Sequence, residues 1–151
     1  MQPLTAQEFK EKLPKLGRLL AIDHGKKRIG LALTDASRML VSPADTLTHP
    51  KFSVNAEAIK ALVEQESVAG LIVGYPLNMD DSEGPRCQSV RQFVRSLEMY
   101  VQLPTLYWDE RLSSDIAQDQ MVEAGLRAAQ RGAKVDKLAA AAILQSYLES
   151  L

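Results

Sequence analysis

Apolar residues along this chain occur in two kinds of pattern. Short apolar runs without alternation, typical of strands covered on both faces, occur at residues 19–22, 69–73 and 104–108. Gly25 and the polar residues after it predict a hairpin turn, from which residues 29–34 return as a second strand. A weaker strand is expected at residues 39–41 or 46–47, because Pro43 leaves its limits open.

Helical spacing separates these runs. It predicts helices over residues 52–66, from Pro85 to about Leu97, from Ser113 or Ser114 to Gly125, and over residues 135–148. Thr5 followed by Glu8 predicts a capping box for a short N-terminal helix. We interpret residues 1–17 as an N-terminal extension and residues 18–151 as a single domain.

The predicted order is two hairpin strands and a weak strand, followed by alternating helices and strands. An antiparallel meander followed by parallel βα units gives a mixed five-stranded sheet flanked by helices, an α/β architecture. This order matches the ribonuclease-H-like fold, although the pattern alone also allows other α/β arrangements.

Composition narrows the class of protein. The chain has 151 residues, is 46% hydrophobic and carries 18 basic against 19 acidic side chains, a net charge of −1. These values indicate one globular domain and exclude a disordered or strongly basic tail-driven binder. Cys87 is the single cysteine, so a disulfide framework within the chain is excluded. With no apolar run of about 20 residues and no secretory signal pattern, we expect a cytoplasmic protein without membrane contact.

Acidic residues are predicted at the ends of separate elements. Asp23 ends the first strand, Asp109 and Glu110 end the last, and Asp136 lies in the first turn of the final helix. Carboxylates that converge in this way suit hard cations, so we expect Mg²⁺ or Mn²⁺, most simply as a pair of ions for phosphodiester cleavage.

Each acid also has a purely structural interpretation. Asp23 could be a turn residue, Asp136 could complement the helix dipole, and Asp109 or Glu110 could pair with Arg111 or Lys134. Together, three acidic positions on one predicted rim favour a metal site.

Basic residues flank these acids and favour a phosphate substrate. One group follows Asp23 and the other precedes Asp136; their members are Lys26, Lys27, Arg28, Arg127, Arg131 and Lys134. His24 could carry a proton or be an exposed turn residue without a role. Tyr75, Tyr107 and Trp108 could stack on bases, although core packing is favoured for the last two because they lie in a strand.

Four segments carry a resemblance to a known family. Residues 23–32 (DHGKKRIGLA), 73–79 (VGYPLNM), 109–113 (DERLS) and 134–140 (KVDKLAA) resemble the YqgF-type bacterial proteins, described as candidate pre-16S rRNA nucleases and earlier as candidate Holliday junction resolvases. The likeness spans residues 18 to about 148. It implies a ribonuclease-H-like fold and metal-dependent phosphodiester cleavage.

The resemblance also implies roles for residues. Asp23 and Asp136 would be metal ligands, and within the Asp109–Glu110 pair Glu110 is favoured, whereas a shift of one residue would favour Asp109. Arg111 joins the basic residues that bind substrate phosphate, and residues 74–77 shape the substrate groove. The chain departs from the family pattern at two positions: Asp81 stands where a glycine is usual, and Ala139 stands where related junction resolvases carry a further acid.

Four hypotheses follow. The leading one is a nuclease that processes the 5′ end of pre-16S rRNA, and its rival is a resolvase of branched DNA. An actin-like nucleotide-binding module and a non-catalytic nucleic-acid-binding module are more remote. A resolvase would need two active sites and hence a homodimer, whereas an RNA nuclease can act as a monomer.

Overall fold

The computed structural model describes residues 4–113, 116 and 132–151, and the side chains from residue 136 onward in the last segment. Its helices are α1 (Ala6–Lys12), α2 (Phe52–Gln65), α3 (Pro85–Leu97) and α4 (Gly132–Glu149). Its strands are β1 (Arg18–His24), β2 (Ile29–Thr34), β3 (Val41–Leu47), β4 (Val68–Tyr75) and β5 (Thr105–Asp109). The predicted helix from Ser113 or Ser114 to Gly125 lies almost wholly outside the described residues.

The strands form one mixed sheet in the order β3-β2-β1-β4-β5. β1, β2 and β3 pair antiparallel as a meander, whereas β1, β4 and β5 are parallel. The carboxyl ends of these three parallel strands therefore lie at one edge of the sheet, where ligands bind in open α/β folds. The predicted five-stranded α/β architecture is confirmed.

Two cores cover the faces of the sheet. One contains Leu20, Ile22 and Phe93 and lies beneath α2 and α3, and the other contains Ala21 and Ile143 and lies beneath α4. Both cores are largely apolar, as the unalternating strand patterns indicate. Among the described residues, no helix is both long and apolar enough to span a membrane.

The N-terminal segment packs onto the second core. The predicted capping box is present, since the backbone N–H of Glu8 donates to Thr5 Oγ1 and that of Thr5 donates to Glu8 Oε1, each at 3.1 Å. Phe9 is fully buried and meets the ring of Tyr147 edge-on, with centroids 5.8 Å apart. The extension predicted for residues 1–17 thus contributes a core side chain.

Two element boundaries differ from the predictions. The weak third strand is one continuous strand, Val41–Leu47, rather than either short segment alone. Pro43 is accommodated because β3 is an edge strand and the β2–β3 register shifts between Leu31 and Ala32. The final helix begins at Gly132, so Asp136 lies in its second turn, and the prediction of a first-turn position is wrong.

Asp35 makes the β2–β3 turn sensitive to acid. Hydrogen bonds from the backbone N–H of Leu40, the Ser37 hydroxyl and the backbone N–H of Met39 lower the pKa of Asp35 to about 2. A carboxylate with a lowered folded pKa stabilises the fold above its unfolded pKa, near 4, and this stabilisation is lost as pH falls towards 2. We expect wild type to lose more thermal stability than Asp35→Asn between pH 4 and pH 2, as measured by circular dichroism. Equal losses in the two proteins would contradict this role.

Candidate active site

The strand alternation of β1 places Asp23 on the α4 face of the sheet. Leu20 and Ile22 pack in the core beneath α2 and α3, whereas Leu19 and Ala21 pack in the core beneath α4. Asp23 continues the second set, because side chains two residues apart in a strand share a face. Its carboxyl group therefore lies between the sheet edge and the final helix.

Two glycines leave room for the other acids beside Asp23. Gly30 in β2 is paired with Asp23, and Gly74 lies in β4 on the other side of β1. A Cβ atom at Gly30 would lie 2.0 Å from the carbonyl oxygen of Asp136, and one at Gly74 would lie 2.6 Å from Glu110 Oε1. A side chain at Gly30 would displace the backbone of α4, and one at Gly74 would displace the Glu110 side chain.

Asp23 and Glu110 form a carboxyl pair. Burial raises the pKa of Asp23 well above its usual range, and the charge of Glu110, a hydrogen bond with Glu110 and the charge of Asp136 raise it further. Two ionised carboxylates can only accept hydrogen bonds, so the contact is favourable when Asp23, whose pKa is raised, keeps its proton. Glu110 Oε1 is buried and has no hydrogen-bond partner in the part of the chain that the structure describes.

Asp136, on α4, lies near enough for its charge to act on Asp23, but its carboxylate is bound by the turn between β1 and β2. Arg28 Nε donates to Asp136 Oδ2 at 2.7 Å, and the two side chains are 44% and 19% exposed. Arg28 was predicted to bind substrate phosphate, and in the structure it neutralises a predicted metal ligand. The Gly25 backbone N–H donates to the Arg28 carbonyl at 2.9 Å, which closes the turn and leaves Lys26 and Lys27 exposed.

Asp109 belongs to a different contact. It lies two residues after Tyr107, whose ring packs against the α2 and α3 core, so its side chain follows the face opposite to Asp23. Arg111 donates from Nη2 to Asp109 Oδ2 at 2.7 Å, and this hydrogen bond is the main reason that the pKa of Asp109 is lowered. Of the two candidates, Glu110 is thus the one that contacts Asp23.

Arg111, predicted as a phosphate ligand, ties the β4–α3 loop to the end of β5. Besides Asp109, its guanidinium donates to the carbonyl of Asn78 at 3.0 Å and to Asp81 Oδ1 at 2.6 Å. Asp81 has a φ of 68°, in the left-handed region that favours the glycine usual at this place. The loop keeps that turn in spite of the substitution, and Asp81 gains an ion pair.

We expect Arg111→Lys to loosen this loop, because an ammonium group cannot reproduce the planar fork of donors. Amide exchange at Asn78 and Asp81, both hydrogen-bonded within the loop, should become about three- to tenfold faster by mass spectrometry. Arg95→Lys on the exposed side of α3 is the matched control. Unchanged exchange in Arg111→Lys would show that the fork does not hold the loop.

The remaining candidates have structural partners. Tyr75 is 8% exposed and its hydroxyl donates to Glu83 Oε1 at 2.7 Å, so it is not free to stack on a base. Trp108 Nε1 donates to Ser146 Oγ at 3.0 Å, and Ser146 Oγ donates to the Leu112 carbonyl at 3.2 Å. This chain of hydrogen bonds fastens the turn after Glu110 to α4.

His24 faces away from Asp23, towards α3. Its ring lies 4.6 Å from that of Phe93, centroid to centroid, and burial followed by the charge of Arg86 lowers its pKa. The side chains of Arg127, Arg131 and Lys134 lie outside the described residues.

The donor chemistry of the site fits a hard divalent cation. Asp23 and Glu110 offer only carboxylate oxygens, one of them buried without a partner, and such ligands suit Mg²⁺ or Mn²⁺. Within the described ranges, no three His, Cys, Asp or Glu side chains already converge on one metal position. Asp136 would complete the set only on leaving Arg28.

Comparison with known proteins shows the family to which this chain belongs. Residues 17–150 match the model of the RuvX family, described as Holliday junction resolvase. The chain belongs to the RuvX family. A relative from Ruegeria pomeroyi named "Putative pre-16S rRNA nuclease" is 42% identical over 147 residues, which cover 97% of this chain and 96% of that protein. A relative of the same name from Paramagnetospirillum magneticum is 44% identical over 150 residues, covering 99% and 97%.

The solved structures show the fold of this RuvX protein. A Thermus thermophilus RuvC in complex with a Holliday junction substrate superposes with a TM-score of 0.58 at 13% identity, covering 89% of this chain and 96% of that one. The expected family, the ribonuclease-H-like fold and the nuclease class are confirmed. Gly30 is a site residue of this RuvX protein that sequence reasoning missed, although glycine inside a buried strand often marks a close approach. Gly74 was expected only as part of the substrate groove, and in the structure it also leaves room for Glu110.

Proposed function

We propose that this RuvX protein is a metal-dependent endonuclease that processes the 5′ end of pre-16S rRNA in the cytoplasm. The single observation that supports cleavage best is the half-buried Asp23–Glu110 carboxyl pair at the carboxyl edge of parallel strands. The names of the relatives at 42% and 44% identity support the rRNA substrate.

The proposed roles follow from the contacts. Asp23, Glu110 and Asp136 would hold Mg²⁺ or Mn²⁺, which when bound lowers the pKa of water and neutralises phosphate charge. Lys26 and Lys27 bind the substrate backbone, because both are exposed on the turn that follows Asp23. In the absence of metal, the proton that Asp23 keeps takes the place of a cation.

Arg28 has two partners in this proposal. Its ion pair with Asp136 neutralises the acid while the site is free of substrate. A phosphate group that arrives beside the hairpin competes for the exposed guanidinium, because Arg binds phosphate in the same forked geometry as carboxylate. Release of Arg28 then leaves the Asp136 carboxylate open to the metal.

A side-by-side cleavage assay tests the substrate. RNA spanning the 5′ end of 16S rRNA and a four-way DNA junction are incubated with Mg²⁺, with Mn²⁺, and with EDTA. We expect cleavage of the RNA alone, dependent on the metal and absent in Glu110→Gln. Cleavage of the junction alone would favour the resolvase hypothesis, which the family description and the RuvC likeness support.

A further assay separates catalysis from binding. If wild type binds structured RNA but cleaves neither substrate with either metal, the protein is a binding module and the proposed activity is wrong.

The oligomeric state is measured on the same sample by sedimentation, since a monomer suffices for RNA processing whereas a resolvase requires two sites.

A further inference from the structure

A cavity lies on the face of the sheet opposite to Asp23. It has a volume of about 500 Å³, within the range of small-molecule and nucleotide sites. Its walls come from the turn after β1, the segment that leads into α2, and the side of α3. His24 and Phe93 form part of the wall, and His24 Nδ1 is buried without a hydrogen-bond partner among the described residues.

The charged residues that line this cavity are basic. Lys26 and Lys27 line it, together with Arg28, whose guanidinium also pairs with Asp136, and none of the described residues that line it is acidic. Both histidines of the chain, His24 and His49, line it as well. In a chain with a net charge of −1, this concentration of bases favours an anionic occupant.

A second, neutral and shallow groove of about 700 Å³, open to solvent, adjoins the first. The two share His24, Phe52 and Phe93, so aromatic rings form the common wall. The Phe52 ring is only partly buried and meets that of Phe93 edge-on at 5.6 Å. The neutral part adds amide and hydroxyl side chains, among them Gln92, which can hydrogen-bond to the edge of a base.

These features together suit a nucleotide in a strand. The basic side chains can bind a phosphate group, the aromatic rings can stack on the face of a base, and the neutral polar side chains can hydrogen-bond to its edge. Proteins that bind single-stranded nucleic acids use the same three kinds of contact. Because Asp23 and His24 are consecutive residues on opposite faces of β1, a strand crossing the turn at Gly25 can reach both sites.

We propose that this cavity holds an unpaired nucleotide of the substrate strand, next to the phosphodiester that is cleaved. The inference rests on the proposed function and adds a substrate requirement to it: a single-stranded segment beside the cleavage site. A free mononucleotide shares the same chemistry, so the test distinguishes the two sources.

The composition of the chain supplies the reporters. Both histidines line the cavity, and of three phenylalanines Phe52 and Phe93 line it whereas Phe9 lies in the other core. Imidazole NMR signals and fluorophenylalanine labels are recorded in EDTA with a single-stranded RNA hexamer, a blunt RNA duplex, or uridine monophosphate. We expect the hexamer to shift both histidine signals and the Phe52 and Phe93 signals, leaving that of Phe9 in place.

Other outcomes overturn the proposal. Hexamer binding without these shifts places the strand elsewhere, and equal shifts with the blunt duplex remove the requirement for an unpaired nucleotide. Uridine monophosphate that binds as tightly as the hexamer shows a mononucleotide site. Because EDTA prevents metal-dependent cleavage, these results are independent of whether the protein is an active nuclease.

A variant pair adds a second readout. Gln92→Glu places a negative charge at an exposed position of the neutral part, and we expect hexamer affinity to fall about tenfold by fluorescence anisotropy. Gln102→Glu makes the same charge change at an exposed position before β5, at the opposite edge of the sheet, and should alter affinity less than about twofold. Equal effects of the two variants would overturn the proposal.

Discussion

Asp23→Asn is expected to reduce cleavage about a thousandfold and yet to raise the thermal stability of the metal-free protein. Loss of a metal-ligating carboxylate removes several kcal/mol of transition-state stabilisation, and each factor of ten in rate corresponds to about 1.4 kcal/mol. The gain in stability follows from the contact with Glu110, because an amide donates this hydrogen bond at every pH, whereas Asp23 donates it only while its carboxyl group keeps a proton.

The pH dependence gives the sign of this effect. Since the pKa of Asp23 is raised in the folded state, the folded protein binds more protons than the unfolded chain above about pH 4. The free energy of unfolding contributed by this residue therefore falls as pH rises from about 4 towards neutrality. Asparagine does not titrate, so the advantage of Asp23→Asn should grow over the same interval.

Thermal denaturation in EDTA from pH 4 to pH 8, with cleavage assays in Mg²⁺, measures both effects. Asp45→Asn on the edge strand β3 is the control, because that side chain is exposed and lies away from the acid pair. A variant that is less stable than wild type at neutral pH, or that cleaves normally, would contradict the role assigned to Asp23.

Gly30→Ala is expected to destabilise the protein by about 2–3 kcal/mol and to impair cleavage even where it remains folded. Its Cβ would lie 2.0 Å from the carbonyl oxygen of Asp136 and 2.3 Å from the carbonyl carbon, so backbone rather than a flexible side chain must move. Displacement of α4 moves Asp136 away from Asp23, and misplacement by about 1 Å can reduce a rate about a hundredfold.

Urea denaturation and cleavage at low temperature measure the two effects separately. Gly84→Ala is the matched control, since the nearest atom to its Cβ would be the Nδ2 of Asn78 at 3.3 Å, on a side chain that can shift. If Gly30→Ala is as stable and as active as Gly84→Ala, the close approach of α4 does not position the acid.

Periodicity was sufficient to predict the buried strands and most of the described helices, because each carries a clear pattern, whereas it left more than one arrangement of these elements open. The third strand was harder, since β3 is a partly exposed edge strand in which Pro43 interrupts the apolar signal. The start of α4 was missed because Gly132 has weak helix propensity and is typical of a connection, although Ala133 and Lys134 are good helix formers.

The candidate site was likewise predicted only in part, because local pattern does not show which side chains contact each other. Motif and strand ends located Asp23, Glu110 and Asp136, but the choice between Asp109 and Glu110 depends on which face of the sheet each side chain follows. Arg111 and Arg28 were both assigned to phosphate, whereas their partners are acids brought close by the fold. Contacts between residues as distant in sequence as Arg28 and Asp136 are not visible in local pattern.

The most direct test of the proposed metal site is a crystal soaked with Mn²⁺ and measured for anomalous scattering. We predict an ion in direct contact with the carboxyl oxygens of Asp23 and Glu110, absent from crystals of Glu110→Gln, with Asp136 turned from Arg28 towards it. Manganese bound elsewhere, with Asp23 and Glu110 still hydrogen-bonded to each other, would contradict the assignment of these acids to metal-dependent cleavage.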